Sequence, residues 1–334
     1  CNCGMTVHMQ VSLLLEKSEV KDMIDEEIEK EAEVEEENKE VQEVEEENKE
    51  VQLEQPEEEI KHEEDESNDV SADGLVRLQK IIADRGFCSR RKAEDYITAG
   101  KVKVNHKVVD KLGSSFDPNC YIEVDGYPLA RVGQKVYLAV NKPLGFICTA
   151  SDPRDRKLVT QLVPPQYGRV FPIGRLDINS EGLILLTNDG DFANLVMHPS
   201  SSPDKVYEVK INKRLTKPEI EQLRNGIPLE DGMTSPAQVR EAGISIYNCT
   251  YEITIHEGRN REIRRMMEYL GKRVYSLKRI SIGNIGLKDM PRGSYREVPL
   301  KVVEQMRADC MTRKKNNDLQ KVMEEKKKAA LNAK

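Results

Sequence analysis

Residues 169–199 read RVFPIGRLDINSEGLILLTNDGDFANLVMHP. Gly174-Arg175-Leu176-Asp177 reads as a turn that feeds an apolar strand over 182–186. Asn188-Asp189-Gly190 reads as a second turn, opening a helix over 191–197. An Asp in such a turn is most often a turn or capping residue. Taken alone, Asp177 would therefore carry little functional weight. The strand-turn-helix unit is the centre from which the rest of the chain is read.

Downstream, strands are expected over 206–211 and 250–256, and helices over 217–225 and 260–270. Upstream, a strand is expected over 136–140. Several strands sit beside turns rather than in strict βα alternation. The expected class for 135–306 is therefore α+β with a largely antiparallel mixed sheet. In the helix over 260–270, Asn260 is the expected N-cap, and Ile263, Met266, Met267 and Leu270 form the buried stripe. From residue 307 the chain becomes Lys-rich and loses its Gly and Pro punctuation, so 307–334 is expected as a basic tail, helical or disordered.

A smaller unit precedes this body over 75–132. Apolar residues at 75, 78, 81 and 82 have helical spacing up to Gly86, and Ser89 is placed to cap a second helix. Short strands follow over 101–105 and 121–124, the latter ending at the turn dipeptide Asp125-Gly126. Arg77, Lys80, Arg90, Arg91 and Lys92 lie on or beside the two helices, and Lys101, Lys103 and Lys107 on the strand side. Any one of these could be an ordinary solvated cation. Together, with few acids among them, they suit a phosphate grip.

Net charge is segregated along the chain. Residues 1–74 carry about −22, which leaves about +15 on the remainder of a chain whose net charge is −7. The acidic segment contains EVEEENKEVQ twice in tandem, at 33–42 and 43–52. Its ten-residue period matches no coiled-coil repeat, and a disordered acidic tail is the expectation. The basic remainder calls for a polyanionic partner.

Seven scattered Cys without a CxxC pair imply a reducing compartment, no disulfide framework and no zinc site. The five His are too dispersed for a metal site, and no apolar run reaches membrane-spanning length. The chain opens on Cys1 rather than Met, which fits a fragment or a processed product. The acidic start argues against a retained transit peptide. A cytoplasmic, bacterial-type location is expected, or an organelle if the chain is processed.

Several stretches resemble a known family. Residues 78–109, LQKIIADRGFCSRRKAEDYITAGKVKVNHKVV, resemble the RNA-binding domain named after ribosomal protein S4. The 169–199 segment, with its GRLD motif and trailing LLTNDG and HP, resembles the pseudouridine synthases related to small-subunit enzyme A and large-subunit enzyme B. Lys205-Val206-Tyr207 is similar to that family's K-x-Y element, and 258–266, GRNREIRRM, to its third motif. Leu277-Lys278-Arg279 and Lys142-Pro143-Leu144-Gly145 fit the same pattern.

The resemblance implies that Asp177 is the nucleophile, that Tyr207 lies against the target base, and that Arg264 is the basic partner of Asp177. Arg175, Leu277, Arg279 and Lys142 are implied in substrate binding. Arg77, Lys80, Arg90, Arg91, Lys92, Lys101 and Lys103 are implied in RNA binding. It implies no cofactor or metal, a monomer, and ribosomal RNA or a pre-ribosomal particle as partner. Residues 280–298, ISIGNIGLKDMPRGSYREV, look more like the large-subunit enzyme. The alternatives are a small-subunit enzyme, a non-catalytic ribosome-associated RNA-binding protein, and a hydrolase using Asp177 with Glu181.

Overall fold

The computed structural model describes residues 74–332 except 132, 150, 151, 153, 155 and 245–248. The acidic segment, expected as a disordered tail, lies outside the described residues apart from Gly74.

The N-terminal unit begins with strand β1 (Val76–Arg77), helix α1 (Leu78–Asp84) and helix α2 (Arg90–Thr98). Strands β2 (Val102–Val104), β3 (Lys107–Val108), β4 (Ser115–Phe116), β5 (Ile122–Val124) and β6 (Tyr127–Pro128) follow. Ser89 caps α2 by accepting the Lys92 N–H at 3.2 Å. Leu78, Ile81 and Ile82 of α1 and Ala93 and Ile97 of α2 meet Val102, Val104, Ile122 and Val124 in one core. The sheet order is β3-β2-β5-β6. Its hairpins turn on residues with positive φ: Asn105 and His106 in one, Asp125 and Gly126 in the other. Asp125-Gly126 thus does more than end a strand. It reverses the chain into β6, which the sequence pattern did not show.

The second body is built on a nine-stranded sheet. Its elements are β7 (Tyr137–Lys142), β8 (Phe171–Ile173), β9 (Glu181–Thr187), α3 (Gly190–Met197), β10 (Lys205–Ile211) and α4 (Lys217–Asn225), then the small hairpin β11 (Pro228–Leu229) and β12 (Gly232–Met233). They continue with β13 (Gln238–Ile244), β14 (Cys249–Ile255), α5 (Glu262–Tyr269), β15 (Val274–Ile282), β16 (Ile285–Gly286), β17 (Tyr295–Glu297) and α6 (Leu300–Asn332). The main path is β13-β14-β10-β15-β9-β7-β17. Every pairing in this sheet is antiparallel except β15 with β9, which is parallel. The expected α+β class with a largely antiparallel sheet is what the chain adopts.

Strand β9 is buried at all seven positions, because its two faces serve two cores. Ile184 and Leu186 join Val209, Tyr251, Ile253, Met266 and Met267 on one face. Leu183 and Leu185 join Phe192, Val196, Val303 and Met306 on the other. Amphipathic strand β14 instead alternates buried and half-buried residues.

Two sequence expectations change here. Helix α5 begins one residue after Arg261, which holds φ +47° with no side-chain cap, so Asn260 is not the N-cap. No break falls at residue 307 either. α6 runs continuously from Leu300, burying Val303, Met306 and Cys310 against α3 and its sheet. Arg307 and Arg313 then pair with Asp189 and Asp204. The stretch expected as a tail thus supplies side chains that hold the body together.

Candidate active site

The loop between β8 and β9 carries Asp177, and its backbone is anchored at successive carbonyls. The Asp177 carbonyl accepts the Ser180 N–H at 3.1 Å, and the Ile178 carbonyl accepts the Gly145 N–H at 2.9 Å. The Asn179 carbonyl accepts Arg264 Nη2 at 2.7 Å, and the Arg175 carbonyl accepts Arg279 Nη1 at 3.5 Å. The Leu176 N–H points at Cys148 Sγ, 3.3 Å away. A loop tied at this many points presents its Asp in one place, as a reacting group requires.

Three adjacent strands supply the floor. In the β10–β15 register Tyr207 lies opposite Arg279, and in the β15–β9 register Arg279 lies opposite Gly182. Residues distant in the chain thus form one row beside the Asp177 loop. Arg279 is 3% exposed. Its Nε donates to the Leu183 carbonyl at 2.7 Å and its Nη1 to the Tyr207 hydroxyl at 3.4 Å. Its guanidinium carbon sits 5.9 Å from the centre of the Tyr207 ring. Among the described residues, Nη2 of Arg279 is a buried donor without a partner.

Asp177, Arg175, Tyr207, Leu277 and Arg279 all line one cleft, together with Lys205, Arg261 and Glu262. Five of the residues singled out in the sequence thus meet. Arg264 takes a different place: its guanidinium bonds the loop backbone at Asn179, while Arg279 is the buried cation of the cleft. Lys142 is fully buried, donating to the carbonyls of Phe146 at 2.8 Å and Pro143 at 3.1 Å. Burial pushes its ammonium down to about 8, against the pull of the Asp177 and Glu181 carboxylates. It braces the strand end beneath the Asp loop rather than facing a substrate. Glu181, the second carboxylate of the hydrolase alternative, is buried and paired with Arg292 at 2.8 Å.

The arginines of the third motif divide their tasks. Arg259 reaches the Gly232 and Met233 carbonyls at 3.0 and 2.6 Å, and Arg265 pairs with Asp231 at 3.0 Å. Both latch the β11–β12 hairpin rather than standing free for phosphate. Arg261 is exposed at the cleft. In the N-terminal unit Arg91, Lys92, Lys101 and Lys103 are exposed, whereas Arg77 and Arg90 are half-buried. Lys80 departs most from expectation. Its side chain is 6% exposed and lies between Asp84 and Asp191, each at 2.9 Å. Those two carboxylates occupy its ammonium, which removes it from the phosphate-binding set.

Two further cleft residues carry no distinguishing signal in the sequence. Lys205 stands there only as the first residue of the K-x-Y stretch. Its ammonium donates to Ser202 Oγ at 2.6 Å, and burial, with Arg279 nearby, pushes it down to about 8. Glu262 is 4% exposed and next to Glu257, which accepts the Ser235 N–H at 2.6 Å and Arg259 Nε at 2.9 Å. Burial, reinforced by the Glu257 carboxylate, pushes Glu262 up to about 7. An acid in the first turn of a helix is the commonest of placements, and nothing in the sequence distinguishes this one.

The raised Glu262 has a sign-definite consequence. The unfolded chain loses this proton near the ordinary carboxyl range, while the folded chain keeps it to about pH 7. Stability is therefore lost as pH rises between those values. Glu262→Gln keeps the shape without the titration. Its melting temperature relative to the unmutated protein should rise between pH 5 and pH 8 and then level off. A difference that stays flat across that range would remove the assignment.

Among the described residues no group of three or more His, Cys, Asp or Glu could hold a metal ion. None of their helices is long and apolar enough to cross a membrane.

The family model described as RNA pseudouridylate synthase matches residues 136–269, and the S4 domain model matches 76–119. Ribosomal large subunit pseudouridine synthase B of Bacillus subtilis (strain 168) is 44% identical over 236 residues, covering 70% of this chain and 96% of the relative. The protein of the same name from Vibrio cholerae is 41% identical, covering 69% of this chain and 74% of its own length. A solved structure described as a pseudouridylate synthase superposes with a TM-score of 0.51 at 29% identity, covering 69% of this chain and 99% of that one. A chain with an S4 domain, this catalytic body and relatives at this identity belongs to the RNA pseudouridylate synthase family, and is a pseudouridine synthase.

Proposed function

We propose that this enzyme isomerises a specific uridine of ribosomal RNA, in the large subunit, with Asp177 as the group that starts the reaction. The observation that carries the chemistry is the meeting of Asp177, Tyr207 and Arg279 in one cleft. The printed names of the relatives support the choice of ribosomal large-subunit RNA.

The reaction breaks the bond between C1′ and N1 and forms one between C1′ and C5. C5 gives up a proton and N1 gains one, so the atoms balance without a redox partner. The Asp177 carboxylate acts as nucleophile or as base at C2′; both routes use the same anchored loop. The freed uracil must turn without leaving. The Tyr207 ring offers it a stacking face, and the Tyr207 hydroxyl a relay that takes up the C5 proton as it releases its own. Arg279 steadies that ring and keeps a donor that has no partner among the described residues. Arg264 braces the loop that carries Asp177. The target nucleotide must leave its stack to enter the cleft. The exposed cations Arg91, Lys92, Lys101 and Lys103 hold the surrounding RNA backbone. The enzyme works as a monomer in the cytoplasm.

Purified protein incubated with unmodified large- and small-subunit ribosomal RNA tests this reading. Pseudouridine mapped at one position of the large-subunit RNA is expected. Modification confined to the small-subunit RNA would overturn the subunit choice, and none in either would overturn the substrate class.

A further inference from the structure

Four elements converge at the N-terminal end of α3. Asp189 is buried there and caps the helix through the Phe192 N–H at 3.3 Å. It also accepts the Tyr137 hydroxyl of β7 at 2.6 Å and pairs with Arg307 of α6. Two residues on, Asp191 reaches from the catalytic body to Lys80 on α1 of the S4 unit, at 2.9 Å. Other atoms of the two units come close beside that pair. A Cβ at Gly190 would lie 3.6 Å from Arg90 Nη2 and 3.8 Å from Asp84 Oδ1. Cys88 of the S4 unit and Arg169 of the body lie within range of each other's charge, and burial shifts the thiol up and the guanidinium down.

This joint lies at one end of β9, and Asp177 lies just before the other. The strand between them is buried along its whole length, and both of its ends are tied. Seven residues of strand span roughly 20 Å. The S4 unit and the reacting carboxylate are therefore mounted on the two ends of one rigid strand.

The apolar core of the S4 unit is built from other residues, and Lys80 is buried beside it. A buried ammonium there is a costly way to gain stability, because an apolar side chain would serve as well. An ion pair, unlike an apolar patch, fixes one orientation. We propose that Lys80 and Asp191 are positioning residues whose ion pair holds the S4 unit at a set spacing from Asp177, so that the uridine isomerised is the one at that distance from the RNA gripped by the S4 cations. This rests on the reading that the substrate is structured ribosomal RNA.

Asp191 is 69% exposed, so Asp191→Asn is expected to fold. Its activity is measured on a long large-subunit RNA fragment that reaches both units and on the target stem-loop alone, beside Asp191→Glu and Lys80→Gln. For Asp191→Asn and Lys80→Gln the correctly docked fraction falls, and kcat/KM on the long RNA drops about tenfold. The loss is carried by kcat, pseudouridine appears at neighbouring uridines, and the stem-loop rate is unchanged. Asp191→Glu restores rate and site. Without any substrate, hydrogen exchange at residues 80–84 and 190–193 speeds up in Asp191→Asn. An Asp191→Asn enzyme with unchanged rate and site on the long RNA overturns the proposal, as does an equal loss on both RNAs. If unmutated enzyme modifies neither RNA, the substrate reading fails instead. The exchange measurement then decides alone, and unchanged exchange in Asp191→Asn overturns the joint.

Discussion

Asp177→Asn is expected to abolish pseudouridine formation, with kcat/KM falling by about 10³-fold or more. The substitution keeps size and hydrogen-bonding shape and removes the negative charge that either route requires. The fold should not notice. The loop is held through the carbonyls of Arg175, Asp177, Ile178 and Asn179, none of which depends on the Asp177 carboxylate. The cations proposed to hold the RNA backbone lie elsewhere, so RNA affinity should be kept. Single-turnover product formation, measured beside a melting curve and a binding isotherm, separates these statements. Turnover clearly above background in a well-folded Asn variant would remove Asp177 from the reacting centre. Loss of RNA binding along with activity would make it a structural residue instead.

Gly182→Ala should cause a large loss of stability for a single added methyl. Gly182 holds φ +106°, and a Cβ there would lie 2.3 Å from the Arg279 carbonyl oxygen and 2.7 Å from its nitrogen. These are backbone atoms in the parallel pairing of β9 with β15, so no side chain can swing aside. Overpacking costs about 1–3 kcal/mol, and the left-handed backbone adds about 1–3 kcal/mol for a residue with a Cβ. For a domain of this size the sum lowers the melting temperature by on the order of 10 °C. Activity should fall further than stability, because the displaced residue is Arg279. Gly286→Ala is the control: it has ordinary φ and no atom within 4 Å of the added carbon. A Gly182→Ala protein melting within about 2 °C of the unmutated chain would show that β9 and β15 can part without cost.

Much of the fold was legible in local pattern. The α4 expectation over 217–225 coincides with the helix, because Thr216 and Glu219 form a reciprocal cap that sequence shows directly. Ser89 is likewise readable as a cap. The short strands β3, β4, β6 and β16 were not readable. Each holds two residues, too few for alternation to register, and each exists because its partner is adjacent. The helix after 307 was only half legible. Its Lys-rich composition looks like a solvated tail, and the apolar contacts that bind its first half recur too sparsely to stand out.

The site divides in the same way. The residue types and local frame of the site were fixed along the chain: the turn that offers Asp177, the strand that carries Tyr207, the arginine-rich helix start. What each cation does was decided only in three dimensions. Arg264 and Arg279 look equally basic in sequence, yet strand register puts Arg279 between Tyr207 and Gly182, while helix α5 points Arg264 at the Asn179 carbonyl. Lys80 looks like its neighbours Arg77 and Arg90, yet Asp191, more than a hundred residues away, claims its charge. Periodicity and capping act over a few residues and can be read there. Ion pairing and strand register join residues far apart in the chain, and only the packed structure decides which of them meet.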